Sequence, residues 1–289
     1  MIRRGIGVQP YTAVIGGVIP LLDTYGSAAA AYSLRKLRSA YTGSAVRVRR
    51  SSDNTEQDIG FDSNGNLDQS ALTTFCGVGN GFVTTWYDQS GNSKNLTESS
   101  ATSQPQIVSS GAVITLNNKI ALNFDGSNDK LINTTTGYTI NNTTFLGVYS
   151  INSVAGLGAV FSTGIFSGNV SGWGIATNGN LTAIQTRYNG SALNPPAITI
   201  STNTQYLNFA ITTTNSDSYW LNNGLENNAT GTRSAATTNQ NLSVGVTYDS
   251  SPQYYFPGKL QEAIFWSNNN LSASRSNIQS NINTYYTIY

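Results

Sequence analysis

Residues Gly172–Ser191 read GWGIATNGNLTAIQTRYNGS, and this stretch decides the fold class. Two short strand-like runs, Gly172–Ala176 and Leu181–Arg187, flank Asn178-Gly179-Asn180, and a second turn, Tyr188-Asn189-Gly190, follows. Asn and Gly accept the positive φ of tight hairpin turns, so the spacing predicts antiparallel strands joined by hairpins. The pattern extends outward. Strands are expected at Ala45–Arg50, Phe82–Tyr87, Gln106–Val108, Ala121–Phe124, Thr143–Tyr149 and Ala159–Ser162, then at Gln205–Thr212, Ser218–Leu221, Leu242–Val246 and Gly258–Trp266. Asp125-Gly126-Ser127-Asn128 and Asn222-Asn223-Gly224 supply further turns. Many short strands with such turns predict a mainly β, two-sheet antiparallel sandwich of jelly-roll type with one or two short helices.

Three segments are candidates for these helices. Ala28–Tyr41 places Ala30, Leu34, Leu37 and Tyr41 on one face behind the caps Asp23 or Ser27, with Gly43 as the stop. Asp68–Phe75 is a second, and Ser272–Tyr286 a third, with Ile278, Ile282 and Tyr285 near one stripe. In Ala45–Arg50, Val46 and Val48 are expected in the core and Arg47 and Arg49 outside. No proline- or glycine-rich linker divides the chain, so residues 21–289 are read as one domain and residues 1–20 as an arm that docks on a partner.

Composition removes several function classes. The 15 basic and 14 acidic side chains leave a net charge of +1, with no footprint for nucleic acid. No apolar run approaches the roughly 20 residues of a membrane-spanning helix, so no membrane insertion is expected. There is no histidine, which excludes Ser–His–Asp chemistry, and the single Cys76 allows no internal disulfide. Arg35, Lys36, Arg38, Arg47, Arg49 and Arg50 face the acidic stretch Asp53, Glu56, Asp58 and Asp62 and are read as an ion network.

Sugar recognition needs an aromatic face beside hydrogen-bonding side chains. Trp86 with Asp88, Gln89 and Asn92 has that form, and Trp173, Tyr188, Trp220, Tyr254 and Tyr255 are further ligand-binding candidates. Asp125, Asn128 and Asp129 surround a glycine turn and are the weak calcium candidates, short of the six to eight oxygens calcium takes. No other cofactor is expected.

YSLRKLRSAYTGSAVRVRR within Ala28–Arg50, and FVTTWYDQSG at Phe82–Gly91, resemble the catalytic domain of B-type α-L-arabinofuranosidases, glycoside hydrolase family 54. ALNFDGSNDKL at Ala121–Leu131 and GKLQEAIFW at Gly258–Trp266 are similar to the opening and close of laminin-G and concanavalin-like lectin modules. The resemblance spans residues 21 to 289 and implies a concanavalin A-like β-sandwich. It also implies a retaining mechanism with a glutamate nucleophile, an aspartate acid/base and a vicinal cysteine pair near the active site. The strand matched to the nucleophile, Gly172–Thr177, has no carboxylate, and Cys76 has no neighbouring cysteine. Asp249 matches the acid/base, and Glu262 is the other carboxylate to test. The N-terminal block is also similar to structural proteins of phages of Bacteroidetes-type hosts.

These readings lead to an expected virion protein, a spike, fibre or capsid decoration, that binds host-surface glycan and is not an enzyme. Its arm would dock on other virion proteins, the chain would form a homo-oligomer, and a cell-surface polysaccharide would be its ligand. The alternatives are an arabinofuranosidase-like retaining hydrolase and a bacterial extracellular carbohydrate-binding module, both placed outside the cell or at its surface.

Overall fold

The computed structural model describes residues 17–134, 142–153, 156–164, 172–188, 191–193, 195–232, 241–248, 252–268 and 270–289. Two antiparallel layers face one another. The first runs Asn227–Thr230, Ser216–Leu221, Tyr206–Thr212, Thr143–Ile151 and Pro257–Trp266. Pro257–Trp266 then pairs with both Ala30–Ser33 and Leu122–Asp125. The second runs Glu56–Ile59, Val46–Arg50, Gly81–Trp86, Leu96–Thr97, Leu131–Asn133, Leu242–Val244, Leu157–Thr163, Gly172–Asn178 and Leu181–Tyr188. Gln106–Ser109 pairs with Gly81–Trp86 of one layer and Leu122–Asp125 of the other, closing one side of the sandwich.

Because side chains alternate across a strand, each layer sends every second residue inward. Tyr32, Phe145, Tyr149 and Phe265 from the first layer meet Val46, Trp86, Leu131, Val244, Phe161 and Ile175 from the second in one core. The intervening residues of the first layer, Leu146, Val148, Phe209, Trp220, Ile264 and Trp266, are also apolar. Helix Arg275–Tyr286 covers them with Ile278, Ile282 and Tyr286.

Glu262, in the middle of Pro257–Trp266, is fully buried on this helix side. Arg35 approaches it with two donors, Nε at 2.7 Å and Nη2 at 3.0 Å, while Ser33 Oγ donates at 2.8 Å. Burial opposes the charge on Arg35, but the Glu262 carboxylate outweighs it and holds the guanidinium above its ordinary pKa. Arg35 Nη1 also donates to Asn281 Oδ1 at 3.0 Å, and Tyr286 OH to Glu262 Oε2 at 3.3 Å. The pair thus joins the first strand, the last strand and the C-terminal helix.

The expected sandwich is present, as are helices Gln69–Cys76 and Arg275–Tyr286. Asp68 caps the former, accepting from Ala71 N at 2.9 Å, and the latter follows a 3₁₀ turn at Ser272–Ser274. The helix expected over Ala28–Tyr41 is corrected. Ala30–Ser33 is a strand buried on both faces, so its residues carry no polar alternation to announce a strand. Leu34 and Leu37 continue in a loop anchored by Leu34 N to Gln261 O at 3.3 Å and Leu37 N to Gln89 Oε1 at 2.8 Å. Asp23 accepts from Ser39 N at 3.1 Å and caps no helix there. Arg49, expected outside, is buried and donates to Gln104 Oε1 at 2.7 Å, with its guanidinium over Phe82. The strand bulges between Arg47 and Val48, which breaks the simple alternation. Of the expected arm, residues 1–16 lie outside the described residues. Leu21 and Leu22 are buried in the helix-side core, and Ile19 O accepts from Asn281 Nδ2 at 2.7 Å.

Removing one member of a buried ion pair leaves the other charge uncompensated. Arg35→Met is expected to cost about 3–5 kcal/mol in chemical denaturation. The double variant Arg35→Met/Glu262→Met is expected to recover much of that loss. A single variant as stable as the parent would contradict the role given to the pair.

Candidate active site

The outward face of the second layer is polar where the inward face is apolar. One row across it contains Arg47, Thr85, Thr97, Ile132, Ser243, Ser162 and Gly174. Gly245, at φ +79°, turns the chain out of the sheet, and a side chain there would collide with the Phe124 ring. The chain then forms the hairpin of Thr247–Tyr248 with Pro252–Gln253 above the same face. Ser162 and Ser243 hydroxyls hold its base through Val246 O, at 3.0 and 2.8 Å. Ala159 N donates to Tyr254 O at 2.9 Å, and the Tyr254 ring packs on Ala159 and Ala176.

Beside this hairpin lies a cleft of about 630 Å³, lined by Glu56, Thr84, Thr85, Thr97, Glu98, Lys130, Ile132, Thr134 and Pro252. Its size and mixed lining suit a hydroxyl-rich ligand. Glu98 Oε2 is 2.8 Å from Lys130 Nζ, and both side chains are largely enclosed, at 10% and 15% exposure. Glu98 Oε1 accepts from Ser100 N at 2.7 Å. Glu56 is more open and pairs with Arg47 Nε at 2.7 Å, with Thr84 Oγ1 donating to the same oxygen at 3.5 Å. Two carboxylates, an ammonium and threonine hydroxyls therefore face one space. Composition and motif reading missed Glu98, Lys130 and the role of Glu56.

The structure uses several predicted site residues elsewhere. Trp86 is fully buried against Tyr32, with ring centroids 5.9 Å apart, so it presents no face to a sugar. Asp88 accepts from Ala31 N at 2.9 Å, Ser90 N at 2.8 Å and Lys94 N at 3.0 Å. Gln89 is buried, and its Nε2 donates to Ser33 O at 2.9 Å and Arg35 O at 3.1 Å. Asn92 Nδ2 donates to Ala28 O at 2.9 Å. These three side chains satisfy backbone groups of the first strand and its loop, which accounts for the polar cluster without invoking a ligand.

Trp220 lies under the C-terminal helix with Arg275 4.7 Å above its ring, away from the cleft row. Glu262 is committed to Arg35. Tyr254 and Tyr255 are half-buried where the chain leaves the hairpin, two and three positions after the cleft residue Pro252. Trp173 and Tyr188 occupy strands Gly172–Asn178 and Leu181–Tyr188, but their side chains, like all of Asp249, lie outside the described residues. Asp125 Oδ1 accepts from Ser127 N, Asn128 N and Asp129 N at 2.8, 3.1 and 3.3 Å, and Asp129 Oδ2 from Asp125 N at 2.9 Å. The pair is thus engaged in its own turn. Among the described residues no group of three or more His, Cys, Asp and Glu is placed to hold a metal ion, and no helix is long and apolar enough to cross a membrane.

The model of the family described as "Alpha-L-arabinofuranosidase B, catalytic" matches residues 23–252. An arabinofuranosidase complexed with arabinofuranosyl-α-1,2-xylobiose has a similar structure, with a TM-score of 0.69 and 17% identity. A GH54 α-L-arabinofuranosidase soaked with a cyclic sulfate inhibitor gives 0.69 and 18%. A glutamate-to-glutamine mutant soaked with 4-nitrophenyl α-L-arabinofuranoside gives 0.68 and 19%. Each comparison covers 88% of this chain and 62% of the other, so the chain spans less than two thirds of those proteins. At such identities the likeness shows the fold. No curated protein sequence matches the chain. The match to a catalytic domain overturns the expectation that the chain is not an enzyme. It also conflicts with the reading as a bacteriophage virion protein for host attachment, which rested on composition and the N-terminal block.

Burial, reinforced by the Asp125 carboxylate, pushes the Asp129 carboxyl up from 3.8 to about 7. A carboxyl raised on folding favours the fold while protonated, and that advantage is lost as pH rises through the folded pKa. Asp129 therefore costs little stability near its unfolded pKa and most above about 7. Asp129→Asn is expected to gain stability at about pH 8 and little at about pH 4 in denaturation curves. A difference independent of pH would contradict this.

Proposed function

We propose that this chain, which belongs to the family of α-L-arabinofuranosidase B catalytic domains, hydrolyses α-L-arabinofuranosidic bonds in the cleft above Thr85, Thr97 and Ile132. The observation that carries the reading is the catalytic-domain match over residues 23–252. The cleft supports it by gathering carboxylates in a sugar-sized space on the polar face of the sandwich. Glycan outside the cell is the substrate class, and the chain acts there.

Retaining glycoside hydrolysis needs one carboxylate to attack the anomeric carbon and one carboxyl to protonate the departing oxygen. Water, deprotonated by the second group, then cleaves the glycosyl–carboxylate ester and restores both. Strand Gly172–Asn178 has no acidic residue, so the attacking group comes from elsewhere in the sheet. Glu98, the more enclosed of the two cleft glutamates, takes that role, and Lys130 fixes its orientation. Asp249, which the family resemblance matches to the acid/base, stands three positions before the cleft residue Pro252. The threonine hydroxyls of the row bind sugar hydroxyls.

The test is release of 4-nitrophenol from 4-nitrophenyl α-L-arabinofuranoside, with arabinose release from arabinan alongside. Saturable turnover is expected. Glu98→Gln is expected to lose on the order of 10⁴-fold or more in kcat, the scale of removing an attacking group. Asp249→Asn is expected to lose far more on arabinan than on the nitrophenyl glycoside, whose leaving group needs no proton. Retention on arabinan without release would overturn hydrolysis in favour of a carbohydrate-binding module. Full activity in Glu98→Gln would overturn its assignment.

A further inference from the structure

A second pocket, of about 240 Å³, shares no lining residue with the cleft. Its apolar floor is Leu34, Leu67 and Ile120, its wall Tyr285, and its rim includes Gln69, Asn118 and Lys119. The rim is held firmly. Asn117 and Asn118, at φ +49° and +58°, form the tight turn between Thr115–Leu116 and Lys119–Ile120. Asn117 Nδ2 ties that turn to the C-terminus through Tyr286 O at 2.7 Å and Thr287 O at 2.9 Å. Lys119 O accepts from Gln261 Nε2 at 3.0 Å, and Tyr285 OH donates to Asn66 Oδ1 at 2.7 Å.

The charges around this pocket are unequally committed. Arg35 is taken by Glu262. Asp62 accepts from Asn64 N at 2.8 Å, Asn66 N at 2.9 Å and Asn66 Nδ2 at 3.3 Å, so both its oxygens serve the local turn. Lys119 makes no ion pair among the described residues, and its ammonium sits 4.1 Å from the centre of the Tyr285 ring. Burial, with the nearby Arg35 charge, pushes the Lys119 pKa below its ordinary value despite the opposing pull of Asp62, a penalty that an incoming anion relieves. The amides of Gln69 and Asn118 complete the rim.

We propose that this pocket binds a carboxylated sugar unit, a hexuronate, with its carboxylate on Lys119 and its C–H face on the apolar floor. A single ammonium matches a monoanion. The Asp62 carboxylate in the pocket lining disfavours a doubly charged phosphate more than a monoanion. A neutral sugar would leave Lys119 with only the Asp62 carboxylate nearby, whose oxygens already serve their own turn. The site gives the domain a hold on acidic polysaccharide independent of the cleft.

The test is calorimetric titration of the full chain with galacturonate, galactose and polygalacturonate. Galacturonate is expected to bind saturably, and galactose about tenfold more weakly, the cost of one charge-assisted contact. Lys119→Met is expected to abolish the difference, while Lys119→Arg retains it and controls for folding. Tighter binding of polygalacturonate than of the monomer identifies the polymer as the source, and equal binding the free sugar. Turnover of 4-nitrophenyl α-L-arabinofuranoside is expected to be unchanged in Lys119→Met. Absence of galacturonate binding, equal affinity for galactose, or undiminished galacturonate binding by Lys119→Met would overturn the proposal.

Discussion

The fold depends on a carboxylate that has no access to water. Glu262 stands in the last long strand, where a charge is tolerable only if Arg35 arrives with matched donors. Arg35 follows the first strand, so residues 227 positions apart must meet before either is satisfied. Strand Pro257–Trp266 in turn carries Ala30–Ser33 and Leu122–Asp125 on one side and Thr143–Ile151 on the other. The beginning, middle and end of the chain are therefore ordered around one buried ion pair. Ser33, Asn281 and Tyr286 contribute the remaining hydrogen bonds.

With the first layer covered by helix Arg275–Tyr286, the outward face of the second is left to function. It is polar along the row Thr85, Thr97, Ser243 and Ser162 because the alternate positions Trp86, Leu96, Val244 and Phe161 fill the core. The same periodicity that builds the sandwich thus leaves a polar surface on the outward side of the second layer. The hairpin launched by Gly245 gives this surface a wall, and Glu98 with Lys130 gives it charge.

Much of the fold was legible because Asn-Gly turns between strand-like runs announce hairpins, as Gly179-Asn180 does between Gly172–Asn178 and Leu181–Tyr188. Ala30–Ser33 was not, because burial on both faces removes the alternation and leaves a run of small residues that resembles a helix. The site was harder. Trp86, Asp88, Gln89 and Asn92 look like a sugar platform in sequence, yet one fills the core and three bond the backbone of distant segments. Glu98 and Lys130 carry no local motif. They meet because Leu96–Thr97 pairs with Leu131–Asn133, a juxtaposition set by topology and not by spacing. The family resemblance was readable from the N-terminal blocks, whereas the absence of a carboxylate in Gly172–Asn178 argued against catalysis only while no other acidic residue was known to face that sheet.

Under the proposed hydrolysis, a cleft carboxylate on the second layer attacks an arabinofuranosyl centre. The most direct measurement is labelling of the intact chain with an arabinofuranose-configured cyclic sulfate, an electrophile at the anomeric carbon, followed by peptide mapping by mass spectrometry. One adduct per chain is expected, on Glu98, prevented by excess arabinofuranoside. No adduct, or an adduct on a carboxylate outside the cleft, would contradict it.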